Sequence, residues 1–208
     1  MEGQTVTAGN KTFEIINLIA KGKGGYTYLA KSGGVDVVVK QIHYEPCEYF
    51  RFEDDKLSSE LRDYKTLSSL RIPMPRLLCY NQEKQFLVKE YIPGDTLAKI
   101  VGDKRLNDSH ITQIFRMCQR LYPAHLNIDY FPANFVEHQG VLYYVDYECS
   151  HYSEEWNFEN WGIWFLANQN GMESFLQSGD HSFLLVDGKP VQKGLEGVIT
   201  RWLRLKPE

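Results

Sequence analysis

The chain has 208 residues, 43% of them hydrophobic and 24% charged, with a formal net charge of −4. Such a composition excludes a disordered or fibrous protein, and the mildly acidic balance leaves no basic footprint for DNA or RNA, so no nucleic-acid partner is expected. The length is near the upper range for one compact domain, or enough for two small lobes sharing a cleft.

From Thr12 the pattern is that of strands. FEIINLIA is followed by the glycine-broken turn KGKGG, then YTYLAK, the turn SGGVD, and VVVKQI. β-branched and aromatic residues bounded by Gly and Asp predict an antiparallel meander. After a polar stretch, Leu57, Leu61, Tyr64 and Leu67 fall at helical spacing. That helix should stop before Ile72-Pro73-Met74-Pro75, because each proline disfavours helix at the residue before it. Arg76 to Tyr80 and Gln85 to Ile92 read as two more strands, giving three strands, one helix and two strands up to residue 92.

Pro93-Gly94 is the one plausible lobe boundary, dividing the chain into residues 1–92 and 93–208. Beyond it, Asp108 or Ser109 is placed to cap a helix whose apolar positions are Ile111, Ile114, Phe115, Cys118 and Leu121. Phe135 to Val136 and Leu142 to Val145 predict a hairpin across His138-Gln139-Gly140, and the remainder reads as helical, ending in an amphipathic segment at Leu195, Val198, Ile199 and Trp202. Four cysteines, Cys47, Cys79, Cys118 and Cys149, show no CxxC pair and no companion histidine spacing. Reduced, mostly buried thiols are therefore expected rather than zinc or a disulfide framework. The N-terminus has no signal-peptide pattern, and no apolar run reaches the roughly 18 residues a bilayer demands, so a cytoplasmic protein with no membrane partner is expected.

Several stretches carry chemistry. Gly22, Gly24 and Gly25 lie between two predicted strands, where backbone amides can approach phosphate without a side chain in the way, although glycine-rich hairpin turns are common. Lys40 ends the apolar run VVVK; its ammonium either snorkels to solvent or meets negative charge. Glu60 and Asp63, one turn apart on the following helix, are both placed to pair with it. Glu90-Tyr91 ends a strand just before a Pro-Gly break, where exposed backbone groups can read an adenine edge. Finally LNIDYFPANF sets Asp129 five residues before Asn134, and YYVDYE puts Asp146 at the end of an apolar run. Together they supply a carboxylate to accept a hydroxyl proton and two oxygen ligands for Mg²⁺; as bare turn chemistry, Asp, Asn and Pro would also punctuate loops here.

The order GKGGYTYLA, VVVK, a helix with Glu60 or Asp63, VKEYIPGDTL, NIDYFPANF and VDYE resembles the protein-kinase-like superfamily. Within it the chain is most similar to the small bacterial and atypical branch of aminoglycoside and choline phosphotransferases and RIO-type kinases. The resemblance covers about residues 12 to 165. It implies an α+β, two-lobed fold, with an antiparallel β N-lobe carrying one helix and a mainly helical C-lobe. It implies ATP and Mg²⁺ as cofactors, Lys40 on the α and β phosphates with Glu60 or Asp63 as its ion-pair partner, and residues 89–93 as an adenine-reading hinge. Asp129 takes the place of the catalytic base, with Asn134 and Asp146 as metal ligands.

The sequence departs from the family pattern at Thr27, which replaces the third glycine of the phosphate loop, and at Asn127, which stands where the family usually has His. Tyr147-Glu148 follows the metal Asp in place of Phe-Gly, with Glu148 a further candidate for the metal or substrate site. No Ala-Pro-Glu segment follows Asp146, so activation-loop regulation is not expected. The implied activity is transfer of the ATP γ-phosphate to a hydroxyl acceptor, either a small sugar or alcohol or a protein Ser/Thr. Thr27, Asn127 and the short C-terminal half motivate the alternative of a catalytically weak or inactive nucleotide-binding module or scaffold.

Overall fold

The computed structural model describes residues 1–22, 24–45 and 55–207 of an α+β chain. Lys23 of the glycine turn, Cys47 and most of the polar stretch before the first helix lie outside the described residues. The chain divides into two compact units, Met1–Thr66 with Pro75–Ile92, and Leu67–Met74 with the segment that begins at Pro93.

The first unit is built on a six-stranded antiparallel sheet. Its strands are β1 (Thr5–Ala8), β2 (Lys11–Lys21), β3 (Gly25–Ser32), β4 (Val35–Ile42), β5 (Leu77–Asn81) and β6 (Phe86–Glu90). Their spatial order is β1-β2-β3-β4-β6-β5. The expected count of strands before the helix is corrected from three to four. β1 has only four residues, and a single buried position, Ala8, is too short a pattern to show alternation. Gly33 and Gly34, with φ of 58° and 82°, form the two-residue turn between β3 and β4 that matches the twist of a hairpin. The period of two along the strands sorts the side chains. Phe13, Ile15, Tyr28, Ala30, Val37, Val39, Phe86 and Val88 form one buried cluster, and Lys40, next to Val39, falls on the other face. The Asn81 amide donates to the Thr7 carbonyl at 3.3 Å, drawing the β5 edge toward the β1 edge.

Helix α1 (Lys56–Ser69) starts where Asp55 accepts from the Leu57 amide at 3.1 Å and from the Ser58 hydroxyl at 2.8 Å. The Ser58 bond, with further bonds from Tyr44 and the Leu57 amide, holds the Asp55 carboxyl below its ordinary range. The helix ends ahead of the two prolines, as expected.

In the second unit, β7 (Asp95–Thr96) leads into a short helix, α2 (Leu97–Gly102), that the sequence reading did not foresee. Helix α3 (Asp108–Leu121) buries Ile111, Ile114, Phe115, Cys118 and Leu121, the five positions its periodicity selects. Its cap is Asn107, a correction to Asp108 or Ser109. The Asn107 side chain accepts from the Ser109 amide, and the His110 ring accepts from the Asn107 amide at 3.1 Å, a capping box closed by histidine.

Strand β8 (Leu126–Ile128) delivers the acidic loop, and β9 (Phe135–His138) pairs with β10 (Val141–Tyr144) in the expected hairpin. Beyond Val145 the reading of the remainder as helical is corrected in two places. β11 (Cys149–His151) pairs with β8, and β12 (Leu185–Val186) pairs with β13 (Lys189–Pro190). Between and after them lie a π-helical turn (Phe158–Gly162), α4 (Ile163–Ala167), α5 (Gln169–Ser178) and α6 (Glu196–Leu203), with Ile199 and Trp202 buried. At Gly162 an added Cβ would sit 2.4 Å from the Tyr130 Cβ, so only glycine lets this turn close over the acidic loop. Among the described residues, no helix is long and apolar enough to cross a membrane. Cys118 is buried while Cys79 and Cys149 are half-buried, and none of these three is in a disulfide.

Candidate functional site

In the first unit, Lys40 on β4 lies in register between Thr27 on β3 and Leu87 on β6. Its ammonium forms an ion pair with Glu60 of α1, each side chain only 12% exposed. Of the two carboxylates left open by the sequence, Glu60 is therefore a partner of Lys40. The Asp63 carboxylate, one turn on, lies 3.8 Å from the Arg62 guanidinium. The second Glu60 oxygen is buried without a hydrogen-bond partner among the described residues.

The three glycines separate by role. A Cβ on Gly25 would lie 2.7 Å from the Gln41 carbonyl oxygen and 3.2 Å from the Lys40 Cγ, so strand packing alone demands glycine there. Among the described residues, a Cβ on Gly24 would meet nothing within 4 Å, and on Gly22 only the Gly25 carbonyl at 3.8 Å. The turn is closed by the Gly22 amide donating to the Gly25 carbonyl at 2.9 Å. His43 holds it from the side, its amide donating to the Gly24 carbonyl at 3.3 Å and its Nε2 lying 3.0 Å from the Gly22 carbonyl. At the end of β6, Glu90 is anchored to Arg76 through both backbone and side chain, with Arg76 Nε 3.4 Å from its carboxylate; Tyr91 follows it, half-exposed.

In the second unit, Asp129 emerges exposed from β8, and its Oδ1 accepts from the Phe131 amide at 2.9 Å. The turn Pro132–Asn134 then folds the chain back, so that the Asn134 Nδ2 donates to the Asp129 carbonyl at 3.3 Å. With its amino group committed, the Asn134 side chain keeps a carbonyl oxygen to offer. The Val145 amide donates to the Asn134 carbonyl at 2.8 Å, placing Asp146 one residue beyond this junction. Asp146 Oδ1 accepts from the Tyr147 amide at 2.9 Å. Asp129, Asn134 and Asp146 are thus gathered within one unit by a continuous set of hydrogen bonds.

Two residues deepen the picture. Asn127 is buried, its Nδ2 donating to the Ser153 carbonyl at 2.9 Å while its Oδ1 has no partner among the described residues, so it supports the loop from within. Tyr144, which the sequence reading passed over as part of an apolar run, is fully buried. Its hydroxyl donates to the Glu148 carbonyl at 2.8 Å. Burial pushes its phenol well above the ordinary range, and the charges of Asp146, Asp129 and Glu148 push it further. The signal in the sequence was parity: Tyr144 shares the inward face of β10 with Leu142, and a hydroxyl there must find a partner.

Among the described residues there is no group of three or more His, Cys, Asp or Glu side chains that could hold a metal ion. A pair of oxygen donors, one carboxylate and one amide, suits Mg²⁺, which keeps several waters and is bound through one or two carboxylates plus substrate phosphates rather than by an all-protein cage. No protein-family model matches the chain, and no curated protein matches its sequence.

Proposed function

We propose that the chain is an ATP-dependent phosphotransferase of kinase-like, two-lobed architecture that moves the γ-phosphate to a hydroxyl group. The observation that carries this reading is the hydrogen-bonded gathering of Asp129, Asn134 and Asp146 in the second unit. The Lys40–Glu60 pair in the first unit supports it. Phosphoryl transfer asks the protein mainly for positioning and for neutralising charge on phosphate oxygens. Lys40, oriented by Glu60, would hold the α and β phosphates. The Gly22 to Gly25 turn offers backbone close to phosphate, and the backbone at Glu90 and Tyr91 would read adenine. Asp129 is exposed, with one oxygen fixed by the Phe131 amide, and would accept the proton of the acceptor hydroxyl. Asn134 and Asp146 would hold Mg²⁺, which when bound supplies charge neutralisation at the β and γ phosphates.

The test is a pair of measurements. Mg·ATP is expected to raise the melting temperature, and Asp129→Asn to abolish ATP consumption while keeping most of that rise. A wild-type protein that binds Mg·ATP yet gives no autophosphorylation, hydrolysis or transfer across sugars, amino alcohols and Ser/Thr peptides would identify a nucleotide-binding scaffold instead. A melt that neither ATP nor Mg²⁺ moves would remove both readings.

A further inference from the structure

Strand β10 ends at Tyr144 and β11 begins at Cys149, so Asp146 sits in a four-residue link, Val145 to Glu148, that belongs to no strand. Such a link would ordinarily be among the more mobile parts of a fold, yet a metal-binding carboxylate has to be held within a fraction of an ångström of its working position. The link is restrained at both ends. At its start, the Val145 amide is bonded to the Asn134 carbonyl at 2.8 Å. At its end, the Glu148 carbonyl accepts from the Tyr144 hydroxyl at 2.8 Å, so the side chain of the last strand residue reaches four positions forward and closes the link into a ring with Asp146 at its middle.

The rest of the side chain is locked: Tyr144 is 0% exposed, its ring lies 5.4 Å from that of Phe135, and its own amide donates to the Pro73 carbonyl at 2.9 Å. Phenylalanine would fill this space with no polar atom to satisfy, and Phe115, Phe135 and Phe158 do so at other fully buried positions of the same unit. A hydroxyl carried into a dry core costs free energy unless it is hydrogen-bonded, and here its partner is the Glu148 carbonyl that ends the Asp146 link.

We infer that Tyr144 is a positioning residue of the phosphotransfer site, its hydroxyl holding in place the link that carries Asp146. The inference rests on the phosphotransfer reading of that carboxylate. Tyr144 touches no reacting atom. It acts through the backbone of the link, and a displacement of about 1 Å at such a site is enough to cost about a hundredfold in rate.

The experiment compares wild type with Tyr144→Phe and, as a control, Tyr122→Phe, which removes a half-buried hydroxyl bonded to Glu159 at 2.6 Å and the Phe158 amide at 3.0 Å. Tyr144→Phe is expected to lower kcat about ten- to a hundredfold with the KM for ATP little changed. It is also expected to weaken Mn²⁺ binding in the presence of ATP, followed by electron paramagnetic resonance, by about tenfold or more. Tyr122→Phe should leave both quantities at the wild-type level. A folded Tyr144→Phe protein with wild-type kcat and wild-type Mn²⁺ affinity overturns the positioning role alone. A wild-type protein that shows neither turnover nor Mn²⁺ binding with ATP overturns the phosphotransfer reading, and this inference with it. If Tyr144→Phe does not fold, nuclear magnetic resonance on the wild type decides. The Tyr144 hydroxyl proton should be visible and protected from exchange with water, and exchange at the rate of an open hydroxyl would overturn the bond to Glu148 on which the inference stands.

Discussion

Lys40 and Glu60, twenty residues apart in sequence, meet as an ion pair in which each side chain is only 12% exposed. Attraction between charges so far removed from water is strong, but so is the cost of leaving one of them alone. The pair therefore acts as a lock between β4 and α1.

Glu60→Gln is accordingly expected to lower the free energy of unfolding by more than the roughly 1 kcal/mol or less of a surface pair. The double substitution Lys40→Met with Glu60→Leu should cost less than Glu60→Gln, because it removes both charges of the pair together. Urea unfolding of the three proteins checks this, and a loss under about 1 kcal/mol in Glu60→Gln would show the pair to be solvent-screened.

Gly24 and Gly25 are neighbours with opposite expectations. Gly25→Ala forces a Cβ to 2.7 Å from the Gln41 carbonyl oxygen, and overpacking of this kind costs about 1–3 kcal/mol. Gly24→Ala adds a methyl that meets nothing within 4 Å among the described residues and should stay within about 0.5 kcal/mol of wild type. If phosphate approaches this turn, Gly24→Ala should nonetheless raise the KM for ATP. Thermal melts and steady-state kinetics on the two variants separate folding from binding.

The residues of the candidate site stood out more clearly in the sequence than some of the architecture did. Lys40 declares itself as a lone cation closing an apolar strand, and Asp129, Asn134 and Asp146 as polar residues punctuating a hairpin. The choice between Glu60 and Asp63 was not legible, because residues three apart share a helix face and pattern alone does not fix the rotation of α1. The cap of α3 was misplaced by one or two residues because Asn107, Asp108 and Ser109 can all cap. What decides is His110, whose ring takes the role that a capping box usually gives to Glu or Gln. β11 escaped notice because Cys149 to His151 pair with β8, more than twenty residues upstream, and long-range pairing leaves little local signature.

That histidine also gives the second unit a dependence on pH. Burial depresses the His110 pKa below its ordinary value, with the nearby Glu137 opposing and Arg105 assisting. Its Nδ1 must be unprotonated to accept from Asn107. The sign follows from linkage: a group with a depressed folded pKa contributes stability above its unfolded value of about 6.5, and that contribution is lost as pH falls through the folded value. Urea midpoints should therefore decline between pH 7.5 and pH 5, and His110→Gln should flatten that part of the profile. An unchanged slope in the variant would assign the dependence to other groups.

Cys118 is 1% exposed, and burial pushes its thiol up to about 12. Because the thiolate is the reactive form, native protein should leave this cysteine unmodified by iodoacetamide at pH 8, with labelling appearing only in urea. Peptide mapping after timed alkylation reads this directly. Rapid labelling of Cys118 in the folded protein would show that α3 opens far more readily than its packing implies.

The segment Leu67–Met74 belongs to the second unit although the chain returns to the first for Pro75–Ile92. Leu67 and Ile72 lie in the second unit's core, the Pro73 carbonyl receives the Tyr144 amide at 2.9 Å, and the Arg71 carbonyl receives the Arg120 guanidinium. The polypeptide therefore passes between the units three times, and no single cut yields two self-sufficient pieces. A fragment beginning at Pro93 would lack part of its own interior, so the halves of this protein have to be inherited, synthesised and folded as one thread.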